Sequence, residues 1–480
     1  MGKPLASASI ALGNRRPGVT LTQWLYEELR SAILNGRLKR GARLPATREL
    51  AAQYQVSRRT AVTVFEQLRD EGYTESRTGA GTTVSKTLPE DFLELRKSKV
   101  VLPRTGTMDR VRQQQPSILP LHPVYPSVTE FPIELWTRLA SRRLRRLTAR
   151  DLSASDVAGY RPLRQAIADY VGASRGINCD AEQIIVTSGM HHGLDLVART
   201  TVKPGDRVWV EDPGYPGAIQ VILGAGAAVV PIPVDEKGLN VDLGRERADD
   251  ARAVFVTPGH QCPLGFTMSL DRRLALLQWA RIKRAIVIED DYDTEFRFRG
   301  HPTPALQSLD RSGSVVVLGS FNKVMFPALR FGYIVAPEGL LDRLLELRWK
   351  VDRYPAGPDQ AVLCDFIEAG HFARHLRRMR ELYACRWRAL QDSCNRYLAE
   401  YIAMPMIEAG LNTPAYLRVK LTSRQAEMAA SAAGVQTAGL DRFSRERRDI
   451  RGLLLGFAAF DEQQIQEAAQ SLRYALAGRS

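Results

Sequence analysis

The apolar positions near the N-terminus follow a helical period. One helix face is formed by Leu21, Leu25, Leu29, Ile33 and Leu34, and Gly36 ends that helix. Thr47 is predicted to cap a second helix and Ser57 a third, which runs to about Asp70. Residues 73–84 have the pattern of two short strands around a glycine-rich turn. This order of helices and hairpin is typical of a winged helix-turn-helix.

A different pattern begins near residue 119. Short, almost wholly apolar runs predict strands at Ile184–Thr187, Arg207–Val210, Ala227–Ile232, Ala253–Thr257, Ala285–Ile288, Ser314–Leu318 and Gly332–Val335. Helical stretches separate most of them, so we expect an α/β fold with a mostly parallel sheet between helices. After about residue 350 the pattern predicts long basic helices and then a small α+β segment. We expect residues 1–20 to be a mobile tail and residues 86–118, which are polar and basic, to be a linker.

Charge and cysteine content narrow the choice of partners. The formal net charge is +14, and residues 37–59 contain seven basic residues against Glu49 alone. This favours an anionic partner, with nucleic acid as the first candidate. The five cysteines are scattered without a C-x-x-C pair, which indicates reduced thiols in the cytoplasm and no metal site. No apolar run is long enough to span a membrane.

The third predicted helix is the candidate reading element. Its first residues, Ser57, Arg58, Arg59 and Thr60, would face the major groove of double-stranded DNA. Arginine binds guanine O6 and N7 through two hydrogen bonds, whereas Arg43 suits a phosphate contact. A solvated basic helix face is the alternative interpretation.

Three stretches extend this interpretation: LKRGARLPATRELAAQYQVSRRTAV from Leu38, EQLRDEGY from Glu66 and RTGAGTTV from Arg77. Together they closely resemble the GntR-type winged helix over about residues 21–85. The resemblance implies that the helices contact operator DNA through Arg48, Arg58, Arg59 and Thr60, and the wing through Arg77, Thr78 and Gly79. Members of that family usually have Asn where this chain has Arg59, so the half-site sequence stays open.

Candidate cofactor chemistry lies at the ends of the predicted strands. Lys323 follows one strand and is flanked by Ser320 and Arg330, which suit a phosphate group. Asp290 lies in the acidic run that ends another strand, where it suits a pyridinium nitrogen; a solvated acidic loop is the alternative. The backbone N–H groups of Gly189 and Met190 would meet phosphate at a helix N-terminus, and Tyr215 could stack on a ring.

Several stretches resemble the class I aminotransferase fold (fold type I) over residues 119–475. They are GYRPLRQAI from Gly159, TSG from Thr187, EDPGYP from Glu211, DEKGL from Asp235, TPGHQCPLG from Thr257, IEDDYDTEFRF from Ile288 and GSFNK from Gly319. Joined to a GntR-type winged helix, this region resembles the MocR-type transcription regulators.

That resemblance implies pyridoxal 5′-phosphate (PLP) as cofactor. Lys323 would form the internal aldimine, Tyr292 would bind the phenolic oxygen, and Asn322 stands where a phosphate-binding Ser is more usual. Cys262 occupies the position of an Asn that lies near the phenolic oxygen in the enzymes, and His260 or Gln261 would substitute for it.

One departure from the aminotransferases bears on function. The Arg that binds a substrate carboxylate in those enzymes corresponds to Leu454, and Arg451 is expected to point away from the site. We therefore expect a homodimeric regulator whose aminotransferase-like domain senses PLP, as in PdxR-type regulators, or an amino-acid aldimine. A working aminotransferase that also binds DNA, and a DNA-binding module with a degenerate second domain, are the alternatives.

Overall fold

The chain forms two compact units, residues 1–115 and 116–480, each considered by itself. The computed structural model describes residues 12–13, 15, 17–77, 81–93, 118–153, 156–300 and 303–478. Most of the predicted N-terminal tail and residues 94–117 of the predicted linker lie outside the described residues, as do Thr78 and Gly79 of the predicted wing.

The first unit has the predicted order of helices and hairpin. It consists of α1 (Leu21–Leu34), α2 (Thr47–Gln53), α3 (Arg58–Asp70), β1 (Thr74–Arg77), β2 (Gly81–Val84) and α4 (Pro89–Leu93). The Ser57 hydroxyl accepts a hydrogen bond from the N–H of Thr60 at 3.0 Å, which confirms the predicted cap of α3. The predicted Thr47 cap is wrong. Ala46 occupies that position, and its N–H donates to the Glu49 carboxylate at 3.0 Å.

Helix α4 lies within the segment predicted to be a linker. The carboxylate of Asp91 accepts hydrogen bonds from the guanidinium of Arg40 at 2.6 and 2.7 Å and from the N–H of Leu88 at 2.8 Å. Glu90 accepts from the Tyr73 hydroxyl at 2.7 Å. These polar contacts hold α4 to the first unit, and a hydrophobic pattern does not reveal them.

The second unit is built on an eight-stranded sheet. Its strands are β3 (Ile184–Thr187), β4 (Arg207–Asp212), β5 (Ala228–Asp235), β6 (Gly238–Leu239), β7 (Ala253–Val256), β8 (Ile286–Asp291), β9 (Val315–Ser320) and β10 (Gly332–Val335). The spatial order is β3-β10-β9-β8-β7-β4-β5-β6. In β9, Val315 and Val317 pack into one apolar cluster and Val316 and Leu318 into another. Both faces of the sheet are therefore covered, which explains the continuous apolar runs.

The sheet is mostly parallel, as predicted, with two antiparallel exceptions. Strand β10 is antiparallel to both of its neighbours, and β6 is antiparallel to β5. The connection from β9 to β10 contains only a short 3-10 turn, Pro327–Leu329, and a parallel crossover needs a longer one. This return has a functional consequence, because it brings the start of β10 to the edge where β9 ends.

Helices surround this sheet and a smaller one. They are α5 (Ile133–Leu144), α6 (Ala149–Ser153), α7 (Arg161–Arg175), α8 (Met190–Thr201), α9 (Pro216–Gly224), α10 (Val241–Ala248), α11 (Leu270–Lys283), α12 (Glu338–Val351), α13 (Gly357–Glu368), α14 (His371–Tyr397), α15 (Ser423–Ala432) and α16 (Glu462–Ala477). The small sheet consists of β11 (Ile402–Ala403), β12 (Asn412–Leu417), β13 (Ala438–Gly439) and β14 (Gly452–Gly456), in the order β11-β12-β14-β13. None of the helices in the described part of the chain is long and apolar enough to cross a bilayer.

Candidate functional site

The strand ends of the second unit surround one cavity. Strands β3, β4, β8 and β9 run in the same direction, so their carboxyl ends meet at one edge of the sheet, where α/β proteins bind ligands. A cavity of about 410 Å³ opens there. It is lined by Val124, Met190, His191, Tyr215, Cys262, Asp290, Tyr292, Ser320, Asn322, Lys323, Pro327, Arg330 and Phe443. Most of the predicted cofactor residues are therefore in one place.

One end of the cavity has the composition of a phosphate site. Gly189 has a φ of 105° and directly precedes α8, so Met190 begins a helix whose N-terminus faces the cavity. A Cβ atom at Gly189 would approach the Asn322 amide nitrogen to 3.0 Å and the Arg330 guanidinium to 3.6 Å. The close approach of these groups and the nearby Ser320 hydroxyl form a cradle for an anion.

Asn322 is partly engaged in holding this cradle together. Its Oδ1 atom accepts a hydrogen bond from the N–H of Phe331 at 3.1 Å, and its own N–H donates to the Ser320 hydroxyl at 3.2 Å. Only the amide nitrogen of its side chain is left for a ligand. Asn322 therefore fixes the loop that carries Lys323 as well as facing the cavity.

Lys323 lies at the centre of the cavity wall. Its Nζ atom donates a hydrogen bond to the carbonyl oxygen of Val124 at 2.7 Å. Burial lowers the pKa of Lys323, and the negative charges of Asp293 and Asp290 oppose that shift. A lowered lysine pKa increases the fraction of neutral amine, which is the form that attacks a carbonyl carbon.

Two of the four carboxylates in the acidic run have structural partners. Glu289 accepts hydrogen bonds from the N–H groups of Leu306 at 2.8 Å and Gln307 at 3.1 Å. Asp291 forms a buried ion pair with Arg175 at 2.7 Å. These contacts stabilise the fold. They leave Glu289 and Asp291 engaged with other protein groups rather than with a ligand.

The third carboxylate belongs to a buried network beside Tyr292. The Nδ1 atom of His260 lies 2.8 Å from the Asp293 carboxylate and 3.1 Å from the Tyr292 hydroxyl. Gln261 instead donates to the backbone carbonyls of Pro213 and Cys262. Of the two residues expected to replace the missing Asn, only His260 therefore contacts Tyr292.

Asp290 is the carboxylate of this run whose side chain forms no hydrogen bond or ion pair with another described residue, although Asp293 also has one oxygen without a partner. Asp290 is 4% exposed, and its Oδ1 atom has no hydrogen-bond partner among the described residues. Burial raises its pKa well above the usual range, and the charges of Asp291, Asp293 and Glu211 raise it further. A buried oxygen without a donor is costly. A protonated pyridine nitrogen would supply that donor, so the residues present fit a pyridoxal cofactor.

Tyr215 and His191 form the opposite wall. The Tyr215 hydroxyl lies 2.6 Å from His191 Nε2, and their rings meet edge to face with centroids 5.6 Å apart. Burial raises the pKa of Tyr215 and lowers that of His191, which keeps both side chains neutral near pH 7. His191 is not among the residues predicted from the sequence. Its position directly after Met190 at a helix N-terminus was the available signal.

The cavity offers little to bind a substrate carboxylate. Arg330 is the only arginine among the described residues that line it. Arg451 donates hydrogen bonds to the carbonyls of Val419 and Leu421, as expected for a side chain that points away. Leu454 is fully buried in β14, between Pro414 and Ala438, and does not line the cavity.

Most of the predicted DNA-binding residues that the structure describes are exposed on the first unit. Arg43, Arg48, Arg58 and Arg59 are exposed, and Arg43 pairs with Thr83 of the wing in an isolated β-bridge. None of these four arginines forms an ion pair with another described residue. The hydroxyls of Ser57 and Thr60 lie 2.8 Å apart and bond to each other as part of the α3 cap. Arg77 is the last residue of β1.

Known protein families match both the first and the second unit. Residues 21–84 match the model of bacterial regulatory proteins of the gntR family, and residues 134–413 match that of aminotransferase class I and II. The chain is 41% identical over 471 residues to the probable rhizopine catabolism regulatory protein MocR of Rhizobium meliloti, covering 96% of this chain and 95% of that protein. This chain belongs to the MocR-type transcription regulators.

Two further relatives extend this result. This chain is also 32% identical over 467 residues to the pyridoxine biosynthesis transcriptional regulator PdxR of Corynebacterium glutamicum. The match covers 96% of this chain and 97% of that protein. The kynurenine aminotransferase of Pyrococcus horikoshii, solved in complex with PMP, is 25% identical with a TM-score of 0.71. That match covers 81% of this chain and 98% of the enzyme. The predicted family and α/β fold are confirmed.

Proposed function

We propose that this regulator binds operator DNA through its winged helix as a cytoplasmic homodimer, and binds PLP through Lys323. Asp290 carries the cofactor part of the proposal. It is a buried carboxylate beside Lys323, and its side chain forms no hydrogen bond or ion pair with another described residue, whereas Glu289, Asp291 and Asp293 each have at least one such partner. Two half-sites read by two copies are the usual arrangement for helix-turn-helix regulators.

Each residue predicted to bind the cofactor has a role in this proposal. Asp290 holds the ring nitrogen protonated, Tyr292 donates to the phenolic oxygen, and Tyr215 stacks on the ring. Ser320, Arg330 and the backbone at Gly189 and Met190 bind the phosphate, with the amide of Asn322 beside them. The bound cofactor supplies an electrophilic carbon and an electron-withdrawing ring.

The first test concerns covalent attachment. We expect the purified protein to have visible absorbance that borohydride removes, with the label mapped to the peptide containing Lys323. Lys323→Ala should abolish this absorbance, and Lys350→Ala, at an exposed lysine on α12, should keep it. A reducible chromophore that persists in Lys323→Ala would show that the cofactor site is elsewhere.

The signal is proposed to be PLP itself. Arg330, the only arginine among the described lining residues, is needed for the phosphate, so an amino-acid carboxylate would have no guanidinium of its own. A buried carboxylate without a charged partner costs several kcal/mol. Amino acids should therefore bind this cavity weakly.

A working aminotransferase is the second candidate function, because Lys323, Asp290 and Tyr292 are all present in the cavity. Its test is half-transamination. The holo-protein is incubated with each amino acid while the cofactor spectrum is followed. Conversion at a rate typical of enzymes would support turnover, and an unchanged spectrum would leave sensing as the use of this cavity.

A further inference from the structure

The second unit has an arginine-rich surface far along the chain from the winged helix. Residues 135–150 contain six arginines and no acidic residue. A shallow groove on α5 and the turn after it is lined by Thr137, Arg138, Ser141, Arg142, Arg145 and Arg146. All four of these arginines are exposed.

The groove arginines lie on the last turns of α5 and in the turn that follows. Arg138 and Arg142 are four residues apart on α5, an interval that aligns side chains on one helix face, and Arg145 and Arg146 come directly after the helix ends. The opposite face is fixed, because Leu139 is buried and the Trp136 ring packs against Phe366 of α13 at 5.7 Å. The arginine side therefore faces solvent.

Neighbouring groups neutralise little of this charge. Arg142 shares Asp365 with Arg143, and the other groove arginines form no ion pair within the described residues. Arg374, in the first turn of α14, adds positive charge, and its effect is visible at the neighbouring His371. Burial lowers the pKa of His371, and the charges of Arg374, Arg138 and Arg142 lower it further. Like charges at this spacing are mutually unfavourable until an anion binds.

We propose that this arginine groove binds the phosphate backbone of duplex DNA next to the site occupied by the winged helix. The proposal rests on the DNA-binding function of the first unit. Residues 138–144 extend over roughly 9 Å of helix axis, along which a duplex presents about five phosphate charges, and Arg145 and Arg146 continue beyond the helix end. Because both units belong to one chain, binding by the first keeps the second at a high local concentration near DNA.

The test uses the full-length protein and two duplexes. One contains only the operator, and the other adds two helical turns of flanking DNA on each side. We expect the wild type to bind the long duplex more tightly. The combined variant Arg138→Gln, Arg142→Gln, Arg145→Gln and Arg146→Gln should lose about tenfold of that affinity, with a salt slope smaller by about three. Its binding to the short duplex should not change.

Matched variants separate charge from fold. Gln at Arg281, Arg311, Arg424 and Arg473, which are exposed and form no ion pair with a described residue, should leave both affinities unchanged. Lys at the four groove positions keeps the charge and should retain most of the gain from flanking DNA, which supports the proposal even where the Gln variant folds poorly. Arg43→Ala should reduce the affinity for the short and the long duplex by the same factor.

Three results would overturn the proposal. The groove variant could keep the full gain and salt slope on the long duplex. It could instead change the oligomeric state in light scattering with the salt slope unchanged, which would assign the groove to contact between copies of this chain. A wild-type protein that binds neither duplex would contradict the DNA-binding function itself, and this inference with it.

Discussion

In the proposed cofactor cavity the charged side chains are buried and mostly held by neighbouring groups, whereas the four arginines proposed to bind DNA are exposed and form no ion pair among the described residues. Asp291 is paired with Arg175 and Asp293 with His260, but Arg58 is exposed and forms no ion pair with a described residue. Three of the four carboxylates in residues 289–293 have partners that hold the fold together. Asp290, whose side chain has no hydrogen-bond or ion-pair partner among the described residues, marks the proposed ligand position. On an exposed face every charge is available, so position on the helix has to indicate function.

The sharpest test of this contrast compares two adjacent carboxylates. Asp291→Asn breaks a buried ion pair, so we expect the free energy of unfolding to fall by about 3–5 kcal/mol. Asp290→Asn removes a carboxylate without a full set of partners, and the apo-protein should be at least as stable as the wild type. Its PLP affinity should fall by roughly tenfold to a hundredfold.

Urea unfolding of the apo-proteins and fluorescence titration with PLP measure both effects. An Asp290→Asn variant that binds PLP normally would remove the basis of the cofactor assignment. Equal destabilisation by both substitutions would show that Asp290 also has a structural partner.

Glu211 provides a pH-dependent test of the same buried region. Burial raises the pKa of Glu211 to about 7, although the hydrogen bonds from Thr257 and Gln261 act to lower it. Because the folded-state pKa lies above the unfolded value, Glu211 favours the folded apo-protein at low pH. That contribution is lost as the pH rises towards 7. The stability difference between wild type and Glu211→Gln should change by about 2–4 kcal/mol between pH 4 and pH 8.

Unfolding curves at several pH values give this difference, and Glu467→Gln, at an exposed position on α16, serves as control. A difference that is independent of pH would show that Glu211 does not titrate in this range.

On the exposed face the expected effects are smaller. Arg58→Ala should weaken operator binding by about 1–3 kcal/mol and relax the preference at one base pair, as expected for a contact to a base edge. Arg43→Ala should weaken all sequences alike and reduce the salt slope by about one. A scan of single-base operator variants separates the two. If Arg58→Ala leaves the base preference unchanged, the Arg58 side chain contacts a backbone phosphate of the DNA and not a base edge.

The residues at the strand ends could be predicted from the sequence, whereas Val124 and helix α4 could not. Apolar runs identify the strands, and residues at strand ends must meet at one edge of a parallel sheet, which is why Lys323 and Asp290 could be placed together. Val124 could not, because it lies 199 residues before Lys323 in a segment without periodicity. Helix α4 was missed for a related reason: ion pairs and a buried Leu88 hold it, and its polar sequence resembles a linker.

The central claim is that cofactor binding in the second unit changes DNA binding by the first. Apo-protein is titrated with PLP, without any amino acid, while its affinity for fluorescent operator DNA is measured. A ligand shifts such an equilibrium only through different affinities for the two states, and typical couplings are about 5- to 150-fold. We expect a change of that size with PLP alone and none in Lys323→Ala. If PLP leaves the affinity unchanged and an amino acid added afterwards shifts it, the signal is the amino acid, and the proposal that PLP itself is the signal is wrong.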